Sequence, residues 1–131
     1  NLTRHYRHAY KLQTSNGILF NHESPRRGTN FVTNKVVKNA VMIAKGYMDK
    51  LEMGNMDSSR DWGHSYDYVR AMHKIVNHVF PEDWIVSTGK SHSVREMCDY
   101  VFSSLDMNYK EYIILKSIYI RHINLLSLKF N

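Results

Sequence analysis

Ile18-Leu19-Phe20, followed by Asn21-His22-Glu23-Ser24-Pro25-Arg26-Arg27-Gly28, is the stretch on which the fold turns. Three consecutive apolar residues after Gly17 read as a short strand covered on both faces, as strands of parallel sheets are. Pro25 and Gly28 then mark a loop, and a helical pattern begins near residue 30. A strand leading through a loop into a helix is the α/β unit, and open α/β sheets bind their ligands at such strand ends. Two guanidiniums there suit an anion, most simply a phosphate or diphosphate. A surface charge pair of Arg26 and Arg27 with Glu23 accounts for the same residues equally well.

Working outward, the pattern over about 30–48 predicts a helix. Val32, Val36, Ile43 and Tyr47 lie near one face, with Val37, Val41, Ala44 and Met48 beside them, so a broad surface should be buried. Leu51-Glu52-Met53 reads as a short strand, and Arg60-Asp61-Trp62-Gly63-His64 as a turn. In that turn Asp61 either pairs with Arg60 or leaves Arg60 for an anionic ligand. Ser65 is the expected N-cap of a helix through about 78, with Asp67 at its positive end and Val69, Met72, Val76 and Val79 as its core stripe. Trp84-Ile85-Val86 reads as a strand. Ser93-Val94-Arg95-Glu96 is a capping box, opening a helix whose apolar residues are Val94, Met97, Cys98, Val101, Phe102 and Leu105. Residues 3–12 read as the end of a further helix. Strand alternates with helix throughout, which predicts an α/β fold with a mainly parallel sheet.

The bulk of the sequence narrows the function. It has 131 residues, 43% hydrophobic and 23% charged, as an ordinary globular domain does. The net charge of +6 is spread along the chain, and no run of Lys and Arg exceeds two residues. A dispersed solvated surface fits this better than a nucleic-acid groove. The single cysteine, Cys98, excludes an internal disulfide and reads as a buried thiol. Asn1 to Lys11 holds no secretory signal, and charged residues interrupt Tyr109 to Phe130 too often for a membrane span, so a cytoplasmic location is expected. His5 and His8 stand at i, i+3 but no carboxylate or cysteine joins them, so no metal is assigned. The usual GxGxxG turn of dinucleotide-binding folds is absent.

Four stretches, NGILFNHESPRRG (16–28), NFVT followed by Lys35, GNMDSSRDWGHSYDYV (54–69) and PEDWIVSTGKSHSVRE (81–96), resemble in order and spacing the GDP-mannose 4,6-dehydratases, extended short-chain dehydrogenase/reductases. The resemblance implies a partial Rossmann-like, NAD(P)-binding fold lacking its N-terminal glycine-rich half, and a chain that is a C-terminal-half fragment. It implies an NADP-dependent lyase acting on GDP-mannose. Hydride leaves sugar carbon 4 for the nicotinamide, water is lost across carbons 5 and 6, and hydride returns to carbon 6. The product is GDP-4-dehydro-6-deoxy-mannose, on the way to GDP-fucose. His22 and Arg27 fall at cofactor positions, and Asn21, Val32, Lys35 and Arg60 at substrate positions. Full-length members are expected to be homo-oligomers, with no nucleic-acid or membrane partner.

The family's catalytic Thr and Glu and its Tyr-x-x-x-Lys pair would precede Asn1, so no catalytic residue is assigned and the chain alone is expected to be inactive. Asn34 stands where the family usually has Arg, and Lys11 and Ser15 also depart from its pattern. Residues 1–103 are expected to form the C-terminal part of the cofactor- and sugar-nucleotide-binding region, and 104–131 a divergent tail unlike the family. The alternatives are a degenerate or non-catalytic GDP-sugar-binding remnant and a basic nucleic-acid-binding domain, whose affinity would fall steeply with salt.

Overall fold

The computed structural model describes residues 2–116. Along the chain come α1 (Leu2–Tyr10), β1 (Asn16–Leu19), β2 (Asn21–Glu23), α2 (Val32–Ala44), β3 (Leu51–Met53), β4 (Ser59–His64), α3 (Ser65–Val76), β5 (Asp83–Val86), β6 (Ser91–Ser93), α4 (Val94–Ser103), α5 (Tyr109–Tyr112) and β7 (Ile113–Leu115). The β1–β5, β2–β4 and β3–β7 ladders are all parallel, so the fold is α/β as the sequence predicts. No helix among the described residues is long and apolar enough to cross a membrane. The chain divides into two compact units, one of Asn1–Ser24 with Asp61–Lys90 and the other of Pro25–Arg60 with Ser91–Asn131.

In the first unit, β1 and β5 pair with Ile18 opposite Ile85 and Leu19 opposite Val86. The Phe20 N–H continues the ladder, donating to the Val86 carbonyl at 3.0 Å. The Arg7 guanidinium fastens α1 to this ladder, donating to the Thr14 carbonyl at 2.7 Å and to the Asp83 carboxylate at 2.5 Å. That bond, with a second from Asn16, holds the Asp83 carboxyl below its ordinary value. The other side chains are less covered than expected. Ile18 and Ile85 are 54% and 57% exposed, so the ladder is not buried on both faces.

The core stripe expected on α3 is displaced by one residue. Val69, Met72, Val76 and Val79 are exposed, while Tyr68 is buried and Ala71 and Ile75 are half-buried. Both sets have helical i, i+3, i+7 spacing. Periodicity identified the helix without choosing between its two apolar phases. Asn21–Glu23 is also a strand rather than loop, and Ser59–His64 is a strand rather than a turn. The α3 N-cap is His64, not Ser65: the His64 ring nitrogen accepts from the Tyr66 N–H at 3.2 Å.

The second unit holds most of the buried apolar residues. Val36, Ala40 and Ile43 of α2 face Val94, Cys98 and Phe102 of α4, with Leu51 and Met53 of β3 and Tyr109 of α5 also buried. The broad burial expected of α2 is confined to this stripe, and Val37, Val41, Tyr47 and Met48 remain exposed. α2 ends because Gly46 takes a φ of 73°. Its N–H then reaches the Ile43 carbonyl and the Tyr47 N–H the Met42 carbonyl, each at 2.9 Å, the paired bonds of a Schellman motif.

The α4 capping box is present as read from the sequence. Ser93 Oγ accepts from the Glu96 N–H at 3.1 Å, and the Ser93 N–H donates to the Glu96 carboxylate at 2.7 Å. The latter bond holds the Glu96 carboxyl below its ordinary value. Replacing Ser93 by alanine should cost about 1 kcal/mol, read as a lower urea midpoint with an unchanged slope. Cys98 is fully buried, and burial pushes its thiol up to about 11.

The region expected to be a tail from 104 begins as folded chain. α5 stacks Tyr112 on Phe102 with ring centroids 6.0 Å apart, and β7 pairs with β3, Leu51 opposite Ile113 and Met53 opposite Leu115. The boundary placed at 104 therefore falls inside the second unit. Residues 117–131, the rest of that tail and of the Tyr109–Phe130 stretch, lie outside the described residues.

Candidate functional site

Four of the six residues singled out from the sequence belong to the second unit, where three gather around the start of α2. Arg27 precedes the helix, and its guanidinium carbon lies 3.5 Å from the centroid of the Phe31 ring, a cation–π contact. Phe31 is the N-cap and offers no side-chain acceptor, and the first turn carries no acidic residue. The helix therefore begins with backbone N–H donors, a positive dipole end and an adjacent arginine. The Asn34 side chain donates to the Arg27 carbonyl and ties the loop to the first turn.

Val32 opens the helix and is half-buried. Lys35, on the next turn, extends to β3, where its ammonium donates to the Glu52 carbonyl at 2.7 Å. The Glu52 carboxylate meets Lys116 at 2.5 Å. Arg60 is exposed at the start of β4, and its guanidinium donates to the neighbouring Ser59 carbonyl at 2.6 Å. The arrangement around Arg27 and α2 is chemically suited to a phosphate.

The other two residues, Asn21 and His22, lie in the first unit on β2, which pairs with β4 so that Asn21 stands opposite Trp62 and His22 opposite Gly63. Asn21 is exposed, with both donor and acceptor available in its amide. The His22 ring is fixed by two contacts. Its Nδ1 lies 3.0 Å from the Phe20 carbonyl, so Nδ1 carries the proton and donates. One face of the ring stacks on Tyr68, with centroids 4.7 Å apart and planes 24° apart.

Two buried residues of this unit were not singled out from the sequence as site components. Asp61 was read only as a turn residue pairing with Arg60 or fixing the turn. Its carboxylate instead accepts from the Thr88 hydroxyl at 2.8 Å, the Thr88 N–H at 3.0 Å and the Gly89 N–H at 2.9 Å. Tyr68 is 3% exposed, and its hydroxyl is buried without a hydrogen-bond partner among the described residues. Burial, with the Asp61 charge adding to it, raises the Tyr68 phenol above its ordinary value, so it stays protonated. Gly63 inside β4 was the available signal, since an isolated glycine in a strand marks close approach of another group.

An open cleft of about 480 Å³ lies between α3 and β5, lined among others by Ala71, Ile75, Trp84 and Val86. It contains none of the six residues. No group of three or more His, Cys, Asp or Glu that could hold a metal occurs among the described residues.

Comparison with known proteins gives this geometry its context. A family model described as GDP-mannose 4,6 dehydratase matches residues 1–119. The likeness therefore continues past the point near Ser103 at which it was expected to end. GDP-mannose 4,6 dehydratase of Drosophila melanogaster is 50% identical over 101 residues, which cover 77% of this chain and 26% of the fly protein. GDP-mannose 4,6 dehydratase 2 of Arabidopsis thaliana is 46% identical over 119 residues, 91% of this chain and 32% of its own. The chain thus spans between a quarter and a third of these relatives.

Among solved structures, that of RMD from Pseudomonas aeruginosa complexed with NADPH superposes with a TM-score of 0.79 at 20% identity, covering 88% of this chain and 39% of that one. A dTDP-glucose 4,6-dehydratase from Bacillus anthracis, in complex with NAD, gives a TM-score of 0.75. These structures share the fold of extended short-chain dehydratases. With the family model running over residues 1–119 and the relatives near half identical, the chain belongs to the GDP-mannose 4,6 dehydratase family.

Proposed function

We propose that this chain carries nucleotide-binding elements of a GDP-mannose 4,6-dehydratase, the hydro-lyase that forms GDP-4-dehydro-6-deoxy-mannose for GDP-fucose synthesis. The observation that carries the reading is the start of α2. There a guanidinium stacked on Phe31 adjoins a helix end with no acidic residue and no side-chain cap. Such an end favours a phosphate by its dipole, and arginine adds charge-assisted hydrogen bonds.

Family membership supports the assignment of roles. Arg27 and His22 contact the cofactor, which we take to be NADP, and Asn21, Val32, Lys35 and Arg60 contact GDP-mannose. The residues suit those roles. Arg27 offers a planar fork of donors for a phosphate oxygen. With its Nδ1 donating to Phe20, His22 is left with Nε2 for the ligand. The chemistry that bound NADP supplies in such a reaction is the acceptance and return of one hydride. The side chains of this chain bind and orient, and none is assigned a catalytic role. We place the protein in the cytoplasm, and its full-length counterparts in homo-oligomers.

Calorimetric titration of the 131-residue chain tests the reading. NADP and GDP-mannose should both release heat on binding. Arg27→Ala should weaken NADP by about tenfold or more, the loss of a hydrogen bond to a charged group. Arg60→Ala should weaken GDP-mannose and leave NADP unchanged. No heat at millimolar ligand, or affinities untouched by both substitutions, would remove the proposal. The chain by itself should leave GDP-mannose unconverted, and formation of 4-keto sugar by the purified chain would overturn that part.

A further inference from the structure

We infer that Tyr68 is a positioning residue for His22, its ring setting the plane and the proton placement of the imidazole. As a contribution to cofactor binding this rests on the role proposed for His22, but the positioning itself can be tested without any cofactor.

The geometry begins with the strand register. His22 and Gly63 are direct partners across β2 and β4, so their side chains project from the same face of the ladder. Gly63 has no side chain, and the space is taken by the ring of Tyr68 from the helix that follows. A Cβ on Gly63 would stand 2.4 Å from Tyr68 Cε2, closer than real Cβ contacts come, and a tight 3.2 Å from Cζ. The ring can lie flat beside His22 because its partner residue is a glycine. The Gly63 backbone has no left-handed φ, so the glycine is required for space alone.

Thr88 completes the enclosure. Its methyl would be 3.1 Å from the same Cβ, and its backbone and hydroxyl are both held by the Asp61 carboxylate. Tyr68 thus lies among Gly63, Thr88 and His22, with its hydroxyl buried. The imidazole is in turn bounded by the Tyr68 face and pinned through Nδ1 by Phe20. One ring nitrogen, Nε2, is left to serve a ligand, in a plane that Tyr68 determines. Surface packing alone would require neither the glycine opposite His22 nor a fully buried tyrosine.

The test reads His22 directly. Ring ¹⁵N and ¹H signals of His22 are recorded in the full chain for wild type, Tyr68→Phe, Tyr68→Met and Gly63→Ala. Wild type and Tyr68→Phe should share one signal set, with the proton on Nδ1 and the carbon-bound ring protons shifted upfield by the stacked aromatic. Tyr68→Met keeps apolar volume without a flat ring, and should lose the upfield shift and show mixed tautomers. Should Tyr68→Met not fold, Gly63→Ala carries the same expectation, because it retains the ring and displaces it.

Unchanged His22 signals in Tyr68→Met or Gly63→Ala would overturn the proposal, as would equal disturbance in Tyr68→Phe. NADP titration of the same proteins should then give Tyr68→Phe the wild-type affinity and weaken Tyr68→Met about fivefold, the size of one lost hydrogen bond. Absence of NADP binding by wild type would sink the cofactor assignment, and the His22 signals would still decide whether Tyr68 positions the ring.

Discussion

Asp61→Ala should destabilise the first unit by about 2–4 kcal/mol, read as a fall in the urea midpoint followed by circular dichroism, since hydrogen bonds to a carboxylate are worth more than neutral ones. Asp61 is 7% exposed and gathers three donors from Thr88 and Gly89. These residues lie 27 and 28 positions along the chain, so one side chain closes the connection after β5 onto β4. The substitution strands the two N–H groups and lets Thr88 move away from Gly63. Asp61→Asn should be milder, because an amide oxygen can still accept while the NH₂ cannot. A midpoint lowered equally by both would show that charge, rather than accepting geometry, holds Thr88. The His22 signals should also broaden in Asp61→Ala, since the Tyr68 enclosure loses one wall.

Phe102→Ala should be the most damaging truncation in the second unit, at about 3–5 kcal/mol, the usual range for a phenylalanine removed from a packed core. Phe102 is fully buried and stacks on Tyr112, and its carbonyl accepts from the Leu105 and Met107 N–H groups that turn the chain after α4. The substitution leaves those backbone bonds possible, so the loss is one of packing and cavity formation. Phe102→Leu, which keeps most of the volume, should lose less than half as much. Similar midpoints for Phe102→Ala and wild type would mean that the α2–α4 contact does not limit the stability of the unit.

Much of the fold was legible in the residues. The capping box at Ser93 and Glu96 and the strand Leu51–Met53 appear where the sequence puts them, because caps and short apolar runs are local signals. The failures came from tertiary context. Val69, Met72 and Val76 have the same spacing as Tyr68, Ala71 and Ile75, and the strands against which α3 packs, β1 and β5 together with β2, decide which set turns inward. Arg60 to His64 reads as a turn because Asp and Gly favour turns. Parallel pairing with β2 makes it a strand, with Asp61 bonded across to Thr88 and Gly89.

The same division holds at the site. Arg27 beside a helix start could be seen from Pro25, Gly28 and the apolar period that follows. The Tyr68–His22 stack could not, because it depends on a glycine opposite His22 in a register that no local pattern encodes.

The placement of Cys98 has a practical outcome. It is the chain's sole thiol and belongs to the second unit, whereas both tryptophans, Trp62 and Trp84, belong to the first. A thiol held at about 11 by burial is inert to alkylating reagents until the α2–α4 contact opens. Alkylation rate therefore clocks the opening of one unit, while indole fluorescence reports the other in the same unlabelled sample.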